Sequence, residues 1–225
     1  MASFRDRADA GRRLSRVLAS ELGGAGASRP PAGVVLAVPR GAVVMGGFAA
    51  EELGWPLDLV IVRKIGHPSN PEYAVGAVDA DGEVVRNPAE PHIPEDYLVS
   101  EAQRERAEIA RRMRAYRGTD SPPDVAGKTA VIIDDGVATG LTALQAVRYV
   151  RRHGASEVVL AVPVISDSAL ELLEPEADRV IALEVPRVFW AVGAFYDSFR
   201  QVSDEEVVRL LRSFGGREQQ PDDRP

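Results

Sequence analysis

The chain has no cysteine among its 225 residues, which excludes disulfides, thiolate zinc sites, iron–sulfur clusters and cysteine nucleophiles together. Its three histidines, His67, His92 and His153, stand at no metal-ligand spacing. No apolar run approaches the roughly 18 residues that a membrane-spanning helix needs, and the N-terminal MASFRDRADAGRR carries charge where a secretory signal is apolar. Basic charge is in deficit: the formal net charge is −7, which disfavours broad attraction to nucleic acid or to an anionic membrane. These absences predict a cytoplasmic protein with neither nucleic acid nor membrane as partner. What is present is ordinary globular composition, with 45% hydrophobic and 27% charged residues, enough for one domain with a real core.

Five short apolar runs rich in β-branched residues occupy 33–39, 57–65, 129–134, 157–165 and 178–185. They are nearly continuous, as strands buried on both faces are. Stretches with helical spacing lie between them at 41–53, 139–153 and 166–174, and others at 4–22, 95–117 and 202–214. Strand alternating with helix predicts an α/β fold, a parallel doubly wound sheet whose ligand sites lie at the strand C-termini. Residues 66–93 depart from that rhythm. A Pro/Asn-rich loop is followed by a hairpin, 73–78 and 83–86, turning at Asp81-Gly82. The helix at 95–117 carries arginines 104, 106, 111, 112, 114 and 117, which make either a solvated face or a phosphate-binding one. Gly24 to Gly26 reads as a linker, and 215–225 as a disordered tail. There is no internal repeat.

The informative segment is VIIDDGVATGLTA at 131–143. A buried strand ends on Asp134 and Asp135, and a loop of small residues, Gly136, Val137, Ala138, Thr139 and Gly140, opens a helix at Leu141 and Thr142. Small residues let the main chain approach a ligand, and the helix start supplies free N–H groups and a favourable dipole for an anion. The hydroxyls of Thr139 and Thr142 add donors. A ligand with a phosphate at one end and vicinal hydroxyls nearby would satisfy both loop and acids, which describes a ribose 5-phosphate. Competing motifs fail: there is no GxxxxGK[ST], GxSxG or HExxH, and the paired acids lack DxD spacing.

This segment resembles the signature of the type I phosphoribosyltransferase family, and the resemblance extends over about 33–185. Val38-Pro39-Arg40-Gly41-Ala42 is similar to the family's pyrophosphate loop, and Arg63-Lys64-Ile65-Gly66 to the start of its flexible catalytic loop. The resemblance implies a single domain over 1–214, with a flexible hairpin loop and a small hood made from 1–22 and 186–200. It implies an enzyme that takes phosphoribosyl pyrophosphate (PRPP) with Mg²⁺ and transfers phosphoribosyl to a nitrogenous, nucleobase-like acceptor, releasing pyrophosphate. The alternative is a non-catalytic regulatory protein that binds PRPP or a nucleotide.

Residue by residue, the resemblance implies that Asp134 and Asp135 hold the ribose hydroxyls and Mg²⁺, directly or through water. Residues 136–142 take the 5-phosphate. Arg40, Gly41 and Lys64 meet pyrophosphate, and Arg63, Lys64 and the two aspartates carry catalysis. The acid that precedes Thr-Gly in 6-oxopurine members is replaced by Ala138, which disfavours hypoxanthine and guanine as acceptors. Phe189 and Trp190 are the candidates for stacking on a flat acceptor. A homodimer is the expected assembly.

Overall fold

The computed structural model describes residues 2–23 and 32–215. The linker expected at 24–26 lies outside them, and of the tail expected at 215–225 only Gly215 is described, as the last residue of a helix. Five strands form one parallel sheet: β1 (Gly33–Ala37), β2 (Leu57–Leu59), β6 (Thr129–Ile133), β7 (Glu157–Val164) and β8 (Arg179–Glu184), in the order β2-β1-β6-β7-β8. The alternating pleat divides the apolar residues between two cores. Val131 and Ile133 pack on one face with Val35 and Ala37, whereas Ala130 and Ile132 pack on the other with Val34 and Leu36. Helices α1 (Arg7–Gly23), α2 (Ala42–Leu53), α3 (Glu95–Arg117) and α6 (Asp204–Gly215) supply the first core. Helices α4 (Leu141–Arg152) and α5 (Asp167–Leu173) supply the second. The crossovers place the C-terminal ends of β1, β6, β7 and β8 along one edge, where a doubly wound sheet binds ligands.

One expected strand divides. The run at 57–65 pairs with β1 only as far as Leu59; Val60, Ile61 and Val62 are buried but carry the chain off the sheet, and Arg63 opens a second, antiparallel sheet. That sheet is β3 (Arg63–His67), β4 (Asn70–Val78) and β5 (Val84–Arg86), so most of the Pro/Asn-rich stretch is strand rather than loop. Its β4–β5 turn is built on Asp79, whose buried Oδ1 accepts the N–H groups of Asp81 at 2.9 Å, Gly82 at 3.1 Å and Glu83 at 3.1 Å. The other carboxylate oxygen accepts from Gln145 Nε2 at 2.5 Å and from Arg152, which fastens the hairpin to α4.

The arginines of α3 resolve as a protein-paired face. Arg111 and Arg112 hold Glu108, Arg114 holds Asp120, Arg104 holds Glu101, Arg106 donates to the Ala80 carbonyl, and Arg117 grips Asp58 with contacts of 2.6 and 2.8 Å. At the site edge the two halves of the chain meet. Ser3 and Phe4 donate to the Phe195 carbonyl, and Asp197 donates back to Phe4 at 2.8 Å, beside a 3-10 turn at Val192–Phe195. No helix among the described residues is long and apolar enough to cross a membrane.

Candidate active site

The turn from β6 to α4 carries the acidic pair because β6 is buried throughout and its first residue beyond the sheet reaches the strand edge. Both aspartates are half-buried there. Asp134 Oδ1 accepts the Asp135 N–H at 2.7 Å. Burial pushes the Asp134 carboxyl well above the usual carboxylate range, and the charge of Asp135 pushes it further. Asp135 is also raised by burial, but its neighbour Arg7 opposes the rise. Arg7 Nε and Nη2 stand 2.8 and 2.7 Å from the same oxygen, Asp135 Oδ2.

The loop after the acids is stitched to the β7–α5 junction. Val137 donates to the Val164 carbonyl at 2.9 Å, Ser166 N–H donates to the Val137 carbonyl at 2.9 Å, and Ser166 Oγ donates to the Ala138 carbonyl at 2.5 Å. Val137 is therefore a buried structural member whose N–H is already bound. The N–H groups of Ala138 and Thr139, by contrast, have no partner among the described residues, and neither do the hydroxyls of Thr139 and Thr142. Gly140 precedes α4 at φ 79° and brings no capping side chain, so the amides of Leu141 and Thr142 begin the helix uncapped. Only glycine takes that φ without strain. Partnerless donors at a helix start are an anion cradle.

The loop after β1 lies against the acids. A Cβ on Gly41 would fall 2.0 Å from Asp135 Oδ2, so only glycine admits the carboxylate here. The Pro39–Arg40 peptide is cis, and the N–H groups of Arg40 and Gly41 are without partner among the described residues. The Arg40 side chain turns to α6, where its Nη1 lies 3.3 Å from Asp204 Oδ1, an atom that also accepts from Tyr116 Oη at 2.8 Å. Arg63 lies on the small sheet with its guanidinium on Glu105 of α3 at 2.7 Å. Lys64, next along β3, pairs in register with Ala77 and is exposed; alternation puts it on the opposite face from Arg63.

Val192 and Tyr196, from the segment expected to form the hood, pack on the turn that carries the acids. A Cβ on Gly136 would fall 2.4 Å from Val192 Cγ1, and Tyr196 Oη donates to the Asp135 carbonyl at 2.6 Å. Burial, then the charge of Asp135, push the Tyr196 phenol up. The two aromatic candidates separate: Phe189 packs on Phe195 at 5.2 Å between centroids, while Trp190 is 87% exposed. The structure thus brings together Gly41, the main chain of Arg40 and the segment 134–142, turns the Arg40 side chain to Asp204, leaves Arg63 and Lys64 on the small sheet, and adds Arg7 and Tyr196, to which no sequence motif points. A cavity of about 1230 Å³ opens beside β2, where Asp58 and Arg117 are bound to one another and Asp124 to Lys128.

Comparison with known proteins identifies the family. The model of the phosphoribosyl transferase domain matches residues 6–199. Two curated proteins of Mycobacterium tuberculosis, from strains CDC 1551 / Oshkosh and ATCC 25618 / H37Rv, each named "Putative phosphoribosyl transferase", are 42% identical over 218 residues. The match covers 94% of this chain and 47% of theirs, so the chain spans about half the length of the curated relatives it matches. A crystal structure of TT1426 from Thermus thermophilus is similar at 41% identity and a TM-score of 0.76, covering 96% of this chain and 100% of that one.

Proposed function

The chain belongs to the phosphoribosyl transferase family, and from that premise we propose that it binds PRPP along the β6–α4 edge and transfers its phosphoribosyl group to a nitrogenous acceptor. The observation that carries this reading is the pairing of partnerless N–H groups at Ala138 and Thr139 with two half-buried carboxylates one turn before them. The 5-phosphate takes the amides and hydroxyls of 138–142, and Asp134 and Asp135 accept from the ribose hydroxyls. Pyrophosphate lies toward the open amides of Arg40 and Gly41, with the charges of Arg40 and Lys64 drawn to it. The acceptor approaches from the hood, where Trp190 offers an exposed ring face.

The reaction forms a bond from the acceptor nitrogen to C1 of the ribose and breaks the bond from C1 to the pyrophosphate oxygen, which departs with the electron pair. Positive charge grows on the sugar ring meanwhile, and the neighbouring carboxylates favour that charge. Magnesium fits the donor set. Among the described residues no cluster of three or more acidic or histidine ligands exists, but this ion takes one or two carboxylates plus water and phosphate oxygens. Asp134, whose Oδ1 takes only a backbone N–H among the described residues, would hold it, with Asp135 alongside. Bound there, the ion would neutralise the leaving group.

The test is titration calorimetry with Mg²⁺ and PRPP, followed by pyrophosphate release across a panel of nucleobases. Asp135→Asn removes a charged acceptor of the sugar, about 1.5–3 kcal/mol, or about 10- to 150-fold in PRPP affinity. Unchanged affinity in folded Asp134→Asn and Asp135→Asn proteins defeats the assignment. Tight PRPP binding without acceptor-dependent release identifies a regulatory binder instead.

A further inference from the structure

The acidic pair is held by a residue distant in sequence. Arg7, the first residue of α1, places Nε and Nη2 on one oxygen of Asp135 and sends Nη1 to the Arg200 carbonyl at 2.5 Å. Its guanidinium lies 3.7 Å above the centre of the Phe199 ring, and its side chain is 11% exposed. Phe199 stacks on Tyr196 at 4.9 Å, and Tyr196 stacks on Phe4 at 5.4 Å while its hydroxyl donates to the Asp135 carbonyl. One planar cation therefore ties the side chain of an acid to the hood segment 196–200 that covers it. Three of the guanidinium donors are used, each on a group that belongs to the site or its cover.

We propose that Arg7 is a positioning residue for the acidic pair. Two adjacent half-buried carboxylates repel, and without a counter-charge Asp135 would swing from Asp134 toward water. Arg7 fixes Asp135 by Oδ2 against the Cα of Gly41, leaving its other oxygen for the ligand, and it holds that geometry only while the hood is seated on Phe199. This inference rests on the reading of the site as a PRPP cradle. The planar fork matters as well as the charge, since an ammonium cannot direct N–H groups to both the carboxylate and the Arg200 carbonyl while laying a flat face on the Phe199 ring.

A double-mutant cycle on the full chain, read by calorimetric titration with Mg²⁺ and PRPP, tests it. Arg7→Gln is expected to weaken PRPP about 10-fold, and Arg7→Lys to recover part of that loss. In an Asp135→Asn background Arg7→Gln is expected to add less than about 2-fold, because Arg7 acts through the carboxylate that is already gone. A merely structural role, or direct contact of Arg7 with substrate, gives additive losses and overturns the proposal; so does tighter binding by Arg7→Gln, which would make Arg7 a plug. If Arg7→Gln does not fold, Phe199→Leu decides, since it loosens the guanidinium without removing charge. A loss of about 3-fold supports the proposal, and wild-type affinity refutes it. Failure of the wild-type chain to bind PRPP defeats the cradle reading, and the positioning role falls with it.

Discussion

At the scale of single residues, the closest tolerance in the site is at Gly41. Its φ of −58° and ψ of −43° are right-handed helical, a conformation alanine accepts freely. Glycine to alanine in such a backbone ordinarily stabilises a chain by about 0.4–1 kcal/mol. Here the added methyl would stand 2.0 Å from Asp135 Oδ2 and 2.5 Å from Arg7 Nε, so the ion pair must break or the loop must shift. Overpacking costs about 1–3 kcal/mol, which exceeds the gain and reverses the sign. Gly41→Ala is therefore expected to lower the urea midpoint and to weaken PRPP together, while Gly23→Ala, at the end of α1 where the methyl meets nothing within 4 Å, raises the midpoint slightly and leaves PRPP affinity unchanged. A stabilised Gly41→Ala protein contradicts the packing. The acids and the small residues after them were legible because one contiguous segment carries both. Arg7 was not: it is one arginine of an amphipathic helix, and its partner lies 128 residues on.

At the scale of elements, apolar spacing located the helices well, since a stripe of buried residues such as Leu98, Ala102, Ile109, Met113 and Tyr116 on α3 is itself the packing surface. It misplaced the end of β2. Residues 57–62 are buried or nearly so whether they pair in the sheet or cross to the next one, so burial alone does not say where the ladder stops. The charges of α3 yield a pH-dependent expectation. Hydrogen bonds from Arg111, then Arg112, hold the Glu108 carboxyl down at about 2, against an ordinary 4.5. A carboxyl lowered in the folded state contributes stability above the unfolded value and loses it as pH falls from about 4.5 toward 2. Solvent screens a helix-surface cluster, so the contribution is about 0.5–1 kcal/mol rather than the full shift. Glu108→Gln should cost that much at pH 7 and progressively less toward pH 3. Urea midpoints measured across this range check it, and a gap that does not narrow with acid counts against the pairing.

At the scale of the whole molecule, three tyrosines sit where separate parts of the chain join. Tyr116 links α3 to α6 through Asp204, Tyr149 packs from α4 under the hairpin acids Asp79 and Asp81, and Tyr196 seats the hood on the acidic pair. Tyr116 is visible in the sequence as an apolar-stripe residue and the other two are not singled out there; none shows its role as a junction, because each junction pairs segments brought together only by the completed sheet. Burial above all raises Tyr116 and Tyr149 to about 12, with the Asp204 bond adding to the first and the Asp81 and Asp79 charges to the second; Tyr196 is raised as well. A phenol raised in the folded state contributes stability that is complete below the unfolded value near 10 and is lost as pH rises toward 12. The chain contains only two lysines, Lys64 and Lys128, and its arginines stay charged, so tyrosines dominate that window; Tyr97, raised above all by burial, adds to the fall. Stability is expected to fall by on the order of 1 kcal/mol per junction at pH 11. Tyr149→Phe should flatten part of that fall, Tyr116→Phe should flatten another part while losing its hydrogen bond at every pH, and the urea midpoint followed from pH 8 to pH 11 separates them. A wild-type midpoint that stays level across the interval would mean that the phenols reach water in the folded state, and that the junctions are open where the packing closes them.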